Sequence, residues 1–279
     1  MAIGSSQWMY NSGDYEIEQS LRFNKSDTPS LSHTPSVASN QRTWTWSGWV
    51  KKCAGSPYNH GLFDARQTSS GQFSQFAFIT NDKLQFYTSM SGVDYSWESV
   101  PIYRDPSAWY HIVAVLNTPS STQQDRFIVY VNGVRQANGN QYGALDLNVL
   151  GWINSTNPHS IGEVTDGGHH LHGYLSEVNF IDGQALTPDS FGETGTYGEW
   201  KPLEYKGTYG TNGFYLPFKQ DYAVEGFSTV TWKGNSASSA YIGGVGFQPD
   251  FTWIKKRSNT ADHRIFDSVR GVTKSLKSN

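Results

Sequence analysis

Two short stretches carry the residue types that bind sugars. They are "GVDYSWES" and "LGWINSTN", and they supply Asp94, Tyr95, Trp97, Glu98, Trp152 and Asn154. The faces of a sugar ring are apolar and its edges are polar, so an aromatic platform with carboxylate or amide partners can bind it. These six residues are the predicted ligand-binding set. The alternative is that the tryptophans pack into a core or a subunit interface.

A second stretch, "DGGHHLHG", suggests a metal site. His170 and His172 lie two residues apart, on one side of a strand, and Asp166 could approach them. Imidazole nitrogens and a carboxylate are zinc ligands. Two histidines are few for such a site, so the alternative is a loop that caps the sheets with stacked imidazoles.

The carboxylates do not form a catalytic pattern. Sandwich glycosidases carry Glu-x-Asp-x-x-Glu along one strand face, which sets the acid and the nucleophile at working distances. The nearest match is Asp14, Glu16 and Glu18 in a polar N-terminal segment. Glu177 lacks a second carboxylate at Asn179, which predicts a scaffold hydrogen bond. We therefore predict no enzymatic activity, with a carbohydrate-active enzyme as the less favoured alternative.

The elements that must position these residues are strands. Aromatic residues make up 15% of the chain, charged residues 16%, and there are 28 glycines, a composition typical of an all-β protein with many turns. "RTWTWSGWVKK" alternates Trp44, Trp46 and Val50 on one face. "WYHIVAVLNT" is apolar on both faces, which indicates a central strand covered on both sides.

Turn signals separate these strands. "RFIVYVNGVRQ" contains Asn132-Gly133, which predicts a type I′ hairpin turn between Val131 and Val134. Asn81-Asp82 predicts a second hairpin. Thr187 and Pro188 predict a helix of about one turn. Strands at this spacing with almost no helix predict a β-sandwich or jelly roll.

Several motifs, taken in order, resemble the concanavalin A-like, laminin-G-like jelly-roll family. They are Trp44 to Trp49, Trp109 with His111, Tyr130 to Gly133, Ile161 with Gly162, Gly173 to Val178, and Leu186 to Pro188. The resemblance covers about residues 20–195. It implies the fold more specifically than any activity, because the family contains lectins, adhesion modules and glycosidases.

The resemblance also leaves calcium open as a ligand. Many laminin-G-like domains bind one ion on the rim through Asp side chains and backbone oxygens. Asp64, Asp94, Asp166 and Asp182 lie in predicted loops. No other cofactor is expected.

A narrower resemblance is to structural proteins of tailed bacteriophages, particularly phages of marine bacteria and cyanobacteria. It rests on the segment from "SLRFN" to "SGWVK" and on "GFQPDFTWIKKR" with the later "FDSVRG". It implies a tail-fibre-like adhesive protein on the virion surface, made in the host cytoplasm. Its implied partners are other virion proteins and a host-surface glycan. The alternative is a capsid-decorating or tail-attached protein without ligand binding.

The chain is expected to divide into an N-terminal arm (1–19), a sandwich (20–205) and a second β module (206–279). Lys and Arg number 10 against 18 Asp and Glu in residues 1–200, and 11 against 6 in residues 201–279, a split that suggests two units. "FSTVTWKGN", "GFQPDFTWIKKR" and "HRIFDSVRG" are the predicted strands of the second module, which resembles the start of a longer one.

A module of three or four strands cannot bury both faces alone. We therefore expect it to pack against the first domain, against further sequence beyond Asn279 or against a neighbouring chain. The last two are favoured, and the last implies a homo-oligomer such as a trimer.

Charge and cysteine content exclude other classes. Basic residues are spread along the chain, so nucleic-acid binding is not indicated. The single cysteine, Cys53, excludes an internal disulfide and fits a protein made in a reducing cytoplasm. The chain contains no window of about 18 apolar residues, so no membrane span is predicted.

Overall fold

The structure is a computed structural model of the 279-residue chain. It describes residues 15–53, 55, 59–67, 72–90, 93–139, 144–164, 169–219, 226–232, 245, 247–258, 260–271 and 274–278. The chain divides into two compact units, Met1–Lys219 and Gln220–Asn279. In the described part, no helix has the length and apolar character needed to cross a bilayer.

The first unit is built from seventeen described strands. The first nine are β1 (Leu21–Phe23), β2 (Leu31–His33), β3 (Thr43–Lys52), β4 (His60–Arg66), β5 (Phe73–Phe78), β6 (Leu84–Met90), β7 (Val93–Glu98), β8 (Tyr110–Asn117) and β9 (Phe127–Val131). The others are β10 (Val134–Arg135), β11 (His159–Ile161), β12 (Glu163–Val164), β13 (His169–His170), β14 (Gly173–Asp182), β15 (Gly192–Thr194), β16 (Trp200–Pro202) and β17 (Phe214–Leu216). Single 3₁₀ turns span Lys25–Asp27, Gln123–Asp125 and Pro188–Ser190.

Two antiparallel sheets form the sandwich. The first sheet has the order β1-β14-β3-β8-β9-β10, with β17 also paired to β14, and the second has the order β2-β11-β4-β5-β6-β7. Most neighbours in these sheets are distant in sequence, as in jelly-roll connections. The predicted all-β jelly-roll sandwich is confirmed.

The two sheets pack face to face around one aromatic core. Trp44 and Trp46 of β3 are fully buried there, and Trp44 meets Phe86 and Phe127 edge-on at ring-centroid distances of 6.1 and 6.3 Å. Val129, Val131 and Val178 are buried in the same core.

The outer side of the first sheet is covered by a later segment of the same unit. Val113 and Val115 of β8 form a second apolar cluster there with Ile181 and Phe191, against which Leu186, Tyr205 and Tyr209 pack. This cover explains why β8 is apolar on both faces, as the sequence predicted.

The predicted turns are present. Asn132 and Gly133 have φ values of 48° and 79°, and Val134 pairs with Val131. Phe78 pairs with Leu84 across the loop that holds Asn81-Asp82. The predicted helical turn is the 3₁₀ turn at Pro188, although the Thr187 side chain makes no capping hydrogen bond.

The first unit extends beyond the predicted boundary at residue 205. Strand β17 pairs with β14, with Val178 opposite Leu216, so residues up to 219 belong to the sandwich unit. The described end of the predicted arm contacts β14, because the Ser176 hydroxyl donates a hydrogen bond to the Gln19 carbonyl.

The second unit contains one described three-stranded sheet. Its strands are β18 (Phe251–Ile254), β19 (His263–Asp267) and β20 (Leu276–Ser278), in that order and antiparallel. Two of the three predicted strands are confirmed. The prediction over "FSTVTWKGN" is wrong for residues 227–232, which form no strand; its remaining residues lie outside the described ones.

Candidate functional site

Four strands of the second sheet present a polar outer side. Pairing registers align its residues in three rows: Arg66, Phe73, Ser89 and Asp94; then Asp64, Gln75, Tyr87 and Ser96; then Ala77, Gln85 and Glu98. The alternate residues of the same strands, such as Phe76 and Phe86, lie in the core. Asp64, Ala77 and Ser96 are buried. The half-exposed or exposed remainder is called the open face: Arg66, Phe73, Gln75, Gln85, Tyr87, Ser89, Asp94 and Glu98.

An aromatic pair lies at the centre of the open face. The rings of Phe73 and Tyr87 have centroids 5.3 Å apart and are inclined by 40°. The Arg66 guanidinium lies 4.7 Å from the centroid of the Phe73 ring, within cation–π range. Both rings are half-exposed, so the pair offers apolar ring surface beside the Arg66 guanidinium.

Hydrogen bonds hold the polar groups around this pair. Asp94 accepts hydrogen bonds from the hydroxyls of Tyr87 and Ser89. Both lower the pKa of its carboxyl group, and Tyr87 has the larger effect. The Gln85 side-chain amide donates to Glu98 Oε1 at 3.0 Å. Polar groups fixed in this way are preorganised to meet a ligand.

One side of this surface is bounded by the β12–β13 hairpin. The Glu163 backbone lies so close to Gly61 of β4 that a Cβ at this glycine would come within 2.2 Å of it. Gly61 is therefore needed for the hairpin to approach β4, since any side chain there would displace it.

Strand alternation divides the first predicted stretch between two faces. Asp94 and Glu98 lie on the open face, whereas Tyr95 and Trp97 are 5% and 6% exposed and point into the sandwich. Tyr95 donates to Asp146 Oδ2 at 2.8 Å, and Trp97 meets Phe127 edge-on. The prediction that Tyr95 and Trp97 form an exposed platform is therefore wrong.

The second predicted stretch is mainly structural. Trp152 packs partly against the core, and its indole N–H donates to the Ser89 carbonyl at 2.8 Å. Asn154 is fully buried, and its amide donates to Asn40 O at 2.8 Å and Asp182 Oδ1 at 2.9 Å. A fully buried Asn154 cannot contact a glycan on the surface, so the prediction that Asn154 binds the ligand is wrong.

The two histidines of the predicted metal site have different partners. His170 lies in β13 with its Nδ1 3.5 Å from Glu163 Oε2, whereas His172 lies outside the strand and its Nδ1 accepts from the Lys25 N–H at 3.3 Å. Asp166 lies outside the described residues. Within the described ranges, no group of three or more His, Cys, Asp or Glu side chains could hold a metal ion.

The described aspartates that were considered for calcium, Asp64, Asp94 and Asp182, are engaged or buried. Both carboxylate oxygens of Asp182 accept N–H donors, from Asn40 and Asn154 on Oδ1 and from Asn212 on Oδ2. These donors point partial positive charge at the place a cation would occupy. Asp94 lies in a strand, where it accepts two hydroxyls, and Asp64 is fully buried.

Glu177 makes the scaffold hydrogen bonds that the sequence predicted. It lies at a bulge of β14 with a φ of 50°, and the hydroxyls of Tyr15 and Tyr215 each donate to its Oε2 at 2.7 Å. Burial raises the pKa of Tyr15 to about 12 and raises that of Tyr215 further. Both phenols therefore remain donors at neutral pH.

A cavity of about 740 Å³ lies beside this cluster. Its lining includes Tyr15, Tyr205 and three carboxylates. Glu193 pairs with Lys201, and Glu204 pairs with Lys206, each at 3.8 Å. Two of its three carboxylates thus lie beside lysines.

Six residues of the open face were not predicted from the sequence, namely Arg66, Phe73, Gln75, Gln85, Tyr87 and Ser89. The signal was present in "GQFSQFAFIT", where Phe76 and Phe78 set the core side of β5. Strict alternation from these two residues places Phe73 and Gln75 on the outer side. The bulge between Gly61 and Phe63 lies in β4 and does not interrupt the alternation within β5.

Two family models match the chain. Residues 24–190 match the concanavalin A-like lectin/glucanases superfamily, and residues 223–279 match a domain of unknown function. The second match spans nearly the same residues as the second compact unit.

Three solved structures from different organisms are similar to part of the chain. A pentraxin of Limulus polyphemus is 19% identical with a TM-score of 0.39, covering 57% of this chain and 71% of its own. Domain 4 of an arabinanase from Geobacillus stearothermophilus is 15% identical with a TM-score of 0.45, covering 63% and 76%. Tailspike protein 2 of an Escherichia coli O157:H7 bacteriophage is 13% identical with a TM-score of 0.44, covering 62% and 23%. No curated protein matches the chain.

Proposed function

Because the chain belongs to the concanavalin A-like lectin/glucanases superfamily, we propose that it binds glycans and that the open face is its binding surface. The observation that carries the proposal is the half-exposed Phe73–Tyr87 pair with Asp94 beside it. Aromatic faces take the apolar side of a sugar ring, and carboxylates and amides accept and donate at its edges.

The geometry of the sheet suits a ligand that spans several strands. The row from Asp64 to Ser96 crosses four neighbouring strands, which at about 4.8 Å per strand is a width of roughly 14 Å. This surface is open rather than enclosed. It therefore favours an extended oligosaccharide over a single buried sugar.

The proposed setting is the surface of a tailed-phage particle, where the protein is tail-fibre-like and contacts a host-surface glycan. The support is the sequence resemblance of "GFQPDFTWIKKR" and the preceding sandwich to phage structural proteins. An open surface binds one sugar chain weakly, and many copies on one particle convert weak contacts into avidity.

A homo-oligomer is part of the same proposal. The second unit has one described three-stranded sheet, and Phe251 and Trp253 on β18 are 58% and 62% exposed. A sheet of this size cannot bury both of its faces alone, and adjacent exposed aromatic residues on one strand face favour association. The same observation favours the alternative of a capsid-decorating or tail-attached structural protein.

The proposal includes no catalytic step. Among the described carboxylates, Glu177 is engaged by two tyrosine hydroxyls, and Asp94 and Glu98 are held by neighbouring side chains. Release of reducing ends from a bound polysaccharide by the purified protein, lost on substitution of one carboxylate, would overturn this part.

A glycan array tests the proposed binding surface. Wild-type protein should bind a subset of oligosaccharides, and the double variant Phe73→Ala, Tyr87→Ala should weaken that binding at least tenfold, which is about 1.4 kcal/mol. Tyr197→Ala is the matched control, because Tyr197 is 80% exposed and lies outside the open face. Equal loss in both variants, or no binding by wild type, would contradict the proposal.

A further inference from the structure

The charges and donors on the open face narrow the class of glycan that it can bind. We infer that the open face selects neutral, hydroxyl-rich glycans and rejects those carrying carboxylate or sulfate groups. The inference rests on the proposed function and adds the identity of the ligand class to it.

The charge balance on this surface is negative. Of the described residues that define the open face, Asp94 and Glu98 are acidic and Arg66 is basic. Two hydroxyl hydrogen bonds lower the pKa of Asp94, so its charge is present at neutral pH. An anionic sugar therefore approaches a surface with one more negative than positive charge.

The position of the charges strengthens this preference. Asp94 accepts a hydrogen bond from the Tyr87 hydroxyl, so its charge lies beside one ring of the aromatic pair. Arg66 lies at the opposite end of the same row, separated from Asp94 by the two intervening strands, and it lies over the Phe73 ring. A sugar stacked on Tyr87 meets the carboxylate first.

The hydrogen-bonding pattern points the same way. The Tyr87 hydroxyl and the Gln85 amide already donate to Asp94 and Glu98. The carboxylates keep further lone pairs, because each oxygen can accept two hydrogen bonds. Beside Tyr87 the two carboxylates therefore offer acceptors, which sugar hydroxyls can satisfy and which sulfate or carboxylate groups, having no donor, cannot.

The test compares neutral oligosaccharides with their sulfated and uronic-acid counterparts, printed on one array and measured with the full chain. Wild type is expected to prefer the neutral member of each pair by roughly tenfold, because like charges at this range repel across a surface of intermediate dielectric. The preference should shrink in 1 M NaCl, where charges more than about 3 Å apart are screened.

The variant Asp94→Asn, Glu98→Gln removes both negative charges and keeps the shape and an accepting oxygen at each position. The ratio of neutral to anionic binding should fall by about tenfold, even where overall affinity drops. Asp189→Asn removes one exposed charge outside the open face and should leave the ratio unchanged.

The outcomes separate this inference from the proposed function. Glycan binding that is lost in Phe73→Ala, Tyr87→Ala but that favours anionic members, or shows no preference, would overturn the inference alone. An unchanged ratio in the charge-removing variant would also overturn it. Absence of binding to every member would overturn the proposed function and this inference with it.

Discussion

The two sheets of the sandwich share one core but differ on their outer sides. The first sheet is covered, because Phe191, Leu186 and Tyr205 pack over Val113 and Val115. The described outer side of the second sheet has polar rows around a half-exposed aromatic pair. In one sandwich, then, one outer side has become a second apolar core and the other keeps groups that can meet a ligand.

The difference shows how the same strand pattern serves stability on one side and recognition on the other. On the covered side, polar groups are satisfied within the protein. His111 accepts the Trp200 indole N–H on Nδ1 at 2.8 Å and so donates from Nε2 to Ser47 Oγ at 2.9 Å. On the open face, the carboxylates still have acceptor capacity. Substitutions on the two sides should therefore have different consequences.

Removing a large side chain from the covered side should have the largest effect on stability. Phe191 is buried and stacks on Tyr205 with ring centroids 5.1 Å apart. Phe191→Ala should lower the free energy of unfolding by about 3 kcal/mol, through lost burial and a cavity. Urea titration followed by fluorescence measures it.

Phe73→Ala is the matched change on the open face. Because Phe73 is only half-buried, the expected loss of stability is about 1 kcal/mol. If Phe191→Ala were no more destabilising than Phe73→Ala, the distinction between a covered and an open side would be wrong.

A glycine on the covered side tests its packing more locally. Gly133 has a φ of 79°, and a Cβ there would lie 2.5 Å from the Trp200 ring. Gly133→Ala should cost about 2 kcal/mol, since backbone strain of about 1 kcal/mol adds to displacement of the indole.

Gly198→Ala isolates the strain, because Gly198 has a φ of 84° and a Cβ there meets nothing within 4 Å. Thermal unfolding of both variants gives the difference. Equal melting temperatures would show that Trp200 does not lie against the turn.

Acid should destabilise the covered side through His111. Burial lowers the pKa of His111 to about 3, below the ordinary value of 6.5. Its stabilising contribution is therefore complete above pH 6.5 and is lost as the pH falls towards 3, because the unfolded chain binds the proton first. Between pH 7 and pH 5.5, His111 should lower the free energy of unfolding by about 1 kcal/mol.

The variant His111→Gln should unfold with a shallower dependence on pH over this interval. Burial lowers the pKa values of His60 and His159 to about 4, so these two residues should leave part of the pH dependence of stability in that variant. Identical pH dependences of wild type and variant, measured by urea titration, would contradict the assignment of His111 as a buried neutral imidazole.

The fold was predictable from local patterns because these patterns agreed. Alternation set the core side of Trp44 and Trp46, and Asn132-Gly133 fixed a hairpin register. The apolar residues on both faces of β8 predicted that this strand is covered on both sides. The sequence did not show that residues 186–209 cover it, since that packing joins positions far apart in sequence.

The candidate site was only partly predictable. Asp94 and Glu98 were found by residue type, but grouping them with Tyr95 and Trp97 ignored the two-residue period of the strand. Phe73 and Tyr87 come together across the β5–β6 pair, and only the register places them side by side.

Hydrogen–deuterium exchange of the full chain, with and without the neutral glycan that binds best on the array, tests the central claim most directly. The account predicts added protection in β5, β6 and β7, at residues 73–78, 84–90 and 93–98, and none in the covering segment at residues 186–209. Protection confined to the covering segment, or protection absent from all three strands while glycan is bound, would contradict the assignment of the open face as the binding surface.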